Sequence, residues 1–169
     1  MRPRFANQAD VAALAQMHVQ AWDETYRGHL PDAAIAERGL EYRLALYDRI
    51  IREGARISMI SHVGFAQFGN QRDDAHAAAY PCELFSFYVL KKHHGTGAAQ
   101  ELLRHALGQT PAPFTASVLQ GNGRANRFYE KIGGQVIGTD QYVIAGEGHA
   151  DIIMGFMPET TLPKLRPVG

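Results

Sequence analysis

Between Glu83 and Leu107 the chain passes from strand to turn to helix within twenty-odd residues, and that passage constrains the fold more than any other stretch. Glu83-Leu84-Phe85-Ser86-Phe87-Tyr88-Val89-Leu90 is a run of aromatics and β-formers that reads as one buried strand. It runs directly into Lys91-Lys92-His93-His94-Gly95-Thr96-Gly97 and then into the helical run Ala98–Leu107. A strand feeding a helix through a glycine turn points the helix's unpaired first-turn N–H groups beyond the strand's end. The two glycines let backbone come close to an anion there, and a pyrophosphate suits such a site. A glycine turn that binds nothing has the same pattern, and a lone G-x-G does not separate the two. The dinucleotide-binding fingerprint fits poorly, because its third glycine is missing and the turn lies late in the chain.

The flanking segments read as further helices and strands. Residues 2–5 form a short first strand, and Asn7 with Asp10 reads as an N-cap pair. Val11, Leu14, Ala15, His18 and Trp22 mark one helical stripe, so a helix is expected from about residue 8 to 25, stopped by Gly28. A second helical pattern follows Pro31 and is interrupted at Gly39. Arg56–Ile60 and His62–Phe68 read as extended, and Gly69–Pro81 as a polar loop. Phe114–Leu119 is another strand, Asn122 opens a helix that ends at Gly133-Gly134, and Gln135–Ile137, Tyr142–Ile144 and Ile152–Phe156 complete the strands. The order implies an α+β fold, a sheet covered by helices on both faces. One domain is expected over residues 1–158, with 159–169 as a loosely ordered tail carrying prolines.

Charge and cysteine content narrow the function classes. Seventeen basic residues balance seventeen acidic ones, which argues against broad nucleic-acid binding, since that needs a basic excess. Cys82 is the only cysteine, so no internal disulfide and no thiolate zinc cluster is available. His93-His94 lacks a third ligand at metal spacing, and no metal is expected. No run approaches the roughly 20 apolar residues of a membrane span, and a cytoplasmic protein is the plain expectation.

The stretch Glu83–Val89, followed by His94-Gly95-Thr96-Gly97-Ala98-Ala99 and Leu102-Leu103, resembles the GNAT N-acetyltransferase superfamily. Its acetyl-CoA motif, Gln/Arg-x-x-Gly-x-Gly/Ala, lies between the fourth strand and the following helix. Downstream, Asn122-Gly123-Arg124-Ala125-Asn126-Arg127-Phe128-Tyr129-Glu130-Lys131-Ile132-Gly133 is similar to that family's Asn-…-Phe-Tyr-…-Gly segment. Gly64-Phe65-Ala66 matches a common third-strand motif, and Trp22…Tyr26-Arg27-Gly28…Pro31 resembles the family's first two helices. The chain departs from the pattern at His94, where Gln or Arg is usual, at Lys91 for a frequent Pro, and at Gly134 for a usual aromatic. The resemblance implies a mixed, mostly antiparallel twisted sheet with helices on both faces, and acetyl-CoA as co-substrate.

It also implies roles for particular residues. Pantetheine is expected to lie along the fourth strand, held by backbone around Phe87, Tyr88 and Val89. The pyrophosphate is expected at His94, Gly95, Thr96, Gly97, Ala98 and Ala99. Asn122 contacts the pantetheine or simply caps its helix. The transfer needs a neutral amine, a stabilised oxyanion and a protonated leaving thiolate, and no nucleophilic side chain. Tyr129 is the candidate acid, against the alternative of a core aromatic with a satisfied hydroxyl. Glu83 is the candidate base, expected to share a face with Phe85 and Phe87, whose apolar rings would raise its pKa. A solvated strand-end glutamate is the competing reading, and His62, His149 and Tyr26 are further base candidates. Trp22 and Tyr26 are expected to contact the acceptor, whose identity residues 22–40 and a loop Ala145–Ala150 would set. Asp151 is read as one of several acidic residues that attract a cation or are simply solvated. Three functions stand: an N-acetyltransferase for a small-molecule amine, a protein lysine or N-terminal acetyltransferase, and a non-catalytic CoA-binding sensor. A homodimer is an additional expectation.

Overall fold

The computed structural model describes residues 2–109 and 111–165. Strand β1 (Arg4–Phe5) leads through a 3-10 turn at Gln8–Asp10 into α1 (Val11–Tyr26). The Asn7 carboxamide accepts from Ala9 N–H at 2.9 Å and the Asp10 carboxylate from Asn7 N–H at 2.9 Å, a reciprocal cap that fixes where the helix begins. Helices α2 (Asp32–Glu37) and α3 (Leu40–Arg52) are separated at Gly39, as the sequence indicates. Then come β2 (Ile57–Ile60), β3 (Gly64–Asn70), a single helical turn α4 (Asp74–Ala77) and β4 (Cys82–Val89). A 3-10 turn at Lys91–His93 and α5 (Ala98–Gln109) follow, then β5 (Phe114–Leu119), α6 (Gly123–Lys131), β6 (Gln135–Ile144), β7 (Glu147–Phe156) and α7 (Pro158–Lys164).

The seven strands form one sheet in the order β1-β2-β3-β4-β5-β7-β6. Every pairing is antiparallel except β4 with β5. One face packs on α1 and α3 through Leu14, Ala15, Tyr47, Ile57, Met59 and Phe65, all at most 1% exposed. The other face packs on α5 and α6 through Leu103, Phe114, Ile132, Met154 and Phe156. Each fully buried Leu or Phe of these two layers contributes roughly 1.5–3 kcal/mol relative to an exposed one, so helices cover both faces for the same reason.

The β4–β5 pairing positions the site. It joins only Cys82, Glu83 and Leu84 to Phe114, Thr115 and Ala116. Beyond Leu84 the two strands part, and their C-terminal halves leave a wedge between them.

Three expectations need correction. Residues 158–165 are not a loose tail: α7 seats Thr161 and Leu165 at 0% exposure, and the apolar cluster beneath α5 includes Leu165. The last four residues lie outside the described part. The expected loop Ala145–Ala150 is instead a tight hairpin, because Ala145 (φ 50°) and Gly146 (φ 82°) both take left-handed backbone and let β7 start at Glu147. The polar segment after Asn70 contains α4, capped by the Asp73 carboxylate on Ala75 N–H at 2.9 Å.

Candidate functional site

The wedge between β4 and β5 opens into a cleft of about 810 Å³, lined by β4, the glycine turn, the start of α5, the end of β5, α6 and the C-terminal end of α1. Leu90 N–H bonds Val63 O at 2.8 Å. Alternation along an antiparallel ladder therefore commits the backbone of Ser86, Tyr88 and Leu90 to β3 and turns that of Phe87 and Val89 toward β5. Because β5 has diverged, those groups face the cleft, where Val89 O is taken by the His94 imidazole.

The turn after β4 supplies anion-binding geometry. Gly95 (φ 77°) and Gly97 (φ 86°) are left-handed, and a methyl group on either would meet nothing within 4 Å, so both sit at an open cradle. Glu101 N–H returns to Gly97 O at 3.1 Å and starts α5. Among the described residues the N–H groups of Gly95 through Gln100 donate to no protein acceptor. A row of free amides at a helix start, with the positive end of the helix dipole behind it, fits a pyrophosphate. Thr96 Oγ1 donates to His93 O at 2.7 Å, and the Glu24 carboxylate accepts from Lys91 N–H at 2.7 Å, tying the turn to α1. His94 behaves differently from the Gln or Arg usual at that position. Its Nε2 donates to Val89 O at 2.7 Å, while Nδ1 is enclosed without a partner. The imidazole thus holds the last carbonyl of β4.

Tyr129 projects from α6 into the cleft and is 7% exposed, with its ring against Phe87 at 6.2 Å and Phe156 at 5.6 Å. Its hydroxyl has no protein hydrogen-bond partner among the described residues, yet it is not sealed from the cleft. Burial holds its pKa well above the ordinary phenol value, so the proton stays on oxygen across the neutral range. Asn122 lines the cleft and also caps α6, accepting from Ala125 N–H at 3.2 Å. Ala98 and Ala99 line the cleft.

The structure does not bring Glu83 into the cleft. Gln67 pairs with Ser86 but Phe68 pairs with Leu84, so Phe85 is a one-residue bulge that breaks the strand's alternation. Phe87 consequently packs in the cluster of Leu84, beneath α5, and not on the face of Glu83. In place of apolar rings Glu83 meets Arg72, whose Nη2 and Nε reach its carboxylate at 2.7 and 3.1 Å, with Arg72 N–H at 3.2 Å. Trp22 likewise does not line the cleft. Its indole N–H donates to Tyr88 Oη at 3.0 Å, and Tyr88 Oη lies 3.2 Å from Tyr26 Oη. Trp22 braces the tyrosines, and Tyr26 and Tyr88 line the cavity while Trp22 does not. Burial, then the neighbouring Tyr88, raises the Tyr26 pKa strongly. His62 sits exposed in the β2–β3 turn. His29, Ser86, Ser117, Arg124 and Lys131 line the cleft and were not singled out in the sequence, where no spacing marks them. No group of three or more metal-binding side chains occurs among the described residues, and no described helix is long and apolar enough to cross a membrane.

Residues 12–134 match the family model described as the acetyltransferase (GNAT) family. Uncharacterized N-acetyltransferases of Mycobacterium bovis and Mycobacterium tuberculosis are 32% identical over 149 residues, covering 84% of this chain and 83% of theirs. Among solved structures, yncA of Salmonella typhimurium with its cofactor acetyl-CoA aligns with a TM-score of 0.66 at 22% identity, over 94% of both chains. A ribosomal-protein-alanine N-acetyltransferase of Brucella melitensis aligns with a TM-score of 0.67 at 22% identity, over 93% of this chain and 99% of its own. The paia N-acetyltransferase of Thermoplasma acidophilum, in complex with coenzyme A, gives 0.65 at 16% identity, over 92% and 98%. At these identities the solved structures speak for the fold.

Proposed function

The chain belongs to the acetyltransferase (GNAT) family, and from that premise we propose that it transfers the acetyl group of acetyl-CoA to a primary amine of a small molecule. One observation carries the reading: the β4 backbone freed at Phe87 and at Val89 N–H leads straight to the unpaired amides of Gly95–Gln100. A pantetheine arm laid along β4 would reach a pyrophosphate on that turn, and each group would meet donors suited to it. Acetyl-CoA supplies an activated thioester, and the protein's own groups do the rest. A backbone N–H from the opened part of β4 stabilises the oxygen on which charge develops, worth roughly 3–4 kcal/mol for one well-placed donor. Tyr129 keeps its proton until the sulfur departs and then hands it over. Phe87, Phe128 and Tyr129 pack ring against ring beside that region. Cys82 forms no disulfide, which suits the cytoplasmic setting proposed with this activity.

The test is a free-thiol release assay with acetyl-CoA over a panel of primary alkylamines, amines uncharged at neutral pH, and peptides, with acetyl-CoA affinity measured alongside. Turnover of small amines is expected. Turnover confined to peptides would reassign the acceptor to a protein. Tight acetyl-CoA binding with no turnover of any amine would make the chain a sensor of the cofactor instead.

A further inference from the structure

The far wall of the cleft lies where β5 ends. Leu119 lines the cleft and pairs across the sheet with Asp151, and Gln120 N–H bonds Ala150 O at 2.9 Å. Leu119 and Asp151 side chains therefore stand side by side on one face of the sheet. Val118 belongs to the cluster under α5 and α6, so Leu119 and Asp151 face the opposite side, the one on which α1 packs against β2 and β3; on that side His29, just past α1, sits against Gly121, where an added methyl would be 3.5 Å from its Nδ1. Asp151 does not itself line the cleft; it stands beside Leu119, which does, on the side of the sheet where Tyr26 lies.

The surroundings of Asp151 leave one of its oxygens free. From β6 the Tyr142 hydroxyl donates to Oδ1 at 2.9 Å, and Asp140 lies directly opposite in register. From β7 His149 stacks on Tyr142 at 5.8 Å, its side chain 10% exposed and its Nε2 enclosed without a hydrogen bond. From α1 the facing group is Tyr26, whose hydroxyl feels the Asp151 charge. Oδ2 has no protein donor among the described residues and is open to solvent. Glu83, by contrast, spends both oxygens on Arg72. Burial comes first and Asp140 adds to it in raising the Asp151 pKa above the ordinary carboxylate value, against the Tyr142 hydrogen bond and the neighbouring His149.

We propose that Asp151 is the acceptor seat and proton acceptor of the transferase, binding an alkylammonium group on Oδ2 in the angle between β7 and Tyr26. The inference rests on the acetyl-transfer reading and narrows its substrate class to primary alkylamines that are cationic at neutral pH. The ammonium gives one proton to Asp151 Oδ2, and the freed lone pair forms the N–C bond as the C–S bond breaks. The sulfur takes the Tyr129 hydroxyl proton. The second proton lost by nitrogen restores Tyr129 through solvent, and the proton on Asp151 leaves to solvent. The balance is one ammonium and one thioester to one amide, one thiol and one proton.

Asp151→Asn keeps the shape and an acceptor for Tyr142 but removes the basicity. With the best primary alkylamine of the panel, kcat/KM at pH 7 is expected to fall about 100-fold, and the defect to shrink as pH approaches the amine's own pKa. With phenylhydrazine, which is uncharged at pH 7, the loss is expected to stay within about three-fold, and acetyl-CoA affinity within about two-fold. Equal losses for both amines, or a constant defect across pH, would overturn the seat, as would no loss at all. A second readout needs no turnover. In CoA-saturated wild type, the carboxyl carbon resonance of Asp151 is expected to titrate at lower pH when the same alkylamine is added, and an unmoved titration would also overturn the seat. Failure of the transferase reading looks different, because wild type itself would then release no thiol with any amine.

Discussion

Tyr129 shows how far a single residue can be read ahead of the structure. The Phe128-Tyr129 pair is visible in the sequence, but its hydroxyl's lack of a partner among the described residues arises only when α6 sets the ring against Phe87 and Phe156. Removing that hydroxyl should leave folding and acetyl-CoA affinity nearly unchanged while kcat drops about ten-fold or more. Tyr129→Phe with an unchanged kcat, measured where chemistry limits the rate, would remove Tyr129 from the proton path. Glu83 went the other way, since nothing in the sequence announces that Arg72, in the β3–β4 connection, will close on it. His18 was legible only as part of a helical stripe. It is buried, with Nδ1 2.7 Å from Tyr47 Oη, and burial with Arg43 and Arg38 nearby pushes its pKa down to about 3. The unfolded imidazole titrates near ~6.5, so between that value and about 3 the unfolded chain binds a proton that the folded one refuses. Stability contributed by neutral His18 is therefore complete above ~6.5 and is lost by about 1.4 kcal/mol per unit as pH falls. His18→Gln keeps a partner for Tyr47 and removes the titration. In urea melts at pH 7 and pH 5, wild type should lose about 2 kcal/mol more than this variant, and equal losses would clear His18 of the acid sensitivity.

At the scale of elements, the strand–turn–helix unit was legible because each part carries its own chemistry. The β-formers of β4, the left-handed glycines and the amphipathic α5 agree with one another. The bulge at Phe85 was not legible, because one unpaired residue leaves no mark on composition. It shifts every later side chain of β4 to the opposite face, which is why the predicted face of Phe87 failed. The β6–β7 hairpin was read as separate short strands for a related reason, since Ala145-Gly146 is a less obvious pair of left-handed residues than Asn-Gly. The turn itself gives a direct test. Gly97→Glu places a carboxylate in the open cradle at a left-handed position, where Gly97→Ala carries the same backbone strain without the charge. Acetyl-CoA should raise the Tm of wild type and, less strongly, of the alanine variant, while the glutamate variant should stay folded and show no rise. A full rise in the glutamate variant would put the phosphate site elsewhere.

Across the whole molecule, the fold resolves a single problem: how to open a sheet without exposing its core. Pairing between β4 and β5 stops after Leu84 and Ala116, and α5, α6 and the buried Leu165 at the end of α7 cover the side that would otherwise be exposed. The two halves of the sheet were foreseeable from apolar runs, and the parting between them was not, because divergence of strands is a property of pairs. The opening also has an optical consequence. Trp22 is the only tryptophan in the chain, and its indole N–H is bonded to a tyrosine of the strand that borders the opening. The guanidinium of Arg43 stands over the same ring at 4.7 Å. An indole held between a hydrogen bond and a fixed cation emits at a wavelength set by both, so movement of β4 on filling the cleft should shift its emission. Titrating acetyl-CoA while the indole is selectively excited should trace a saturable change in wild type that Tyr88→Phe diminishes. The protein carries its own lamp beside the door, and occupancy can be followed without a label.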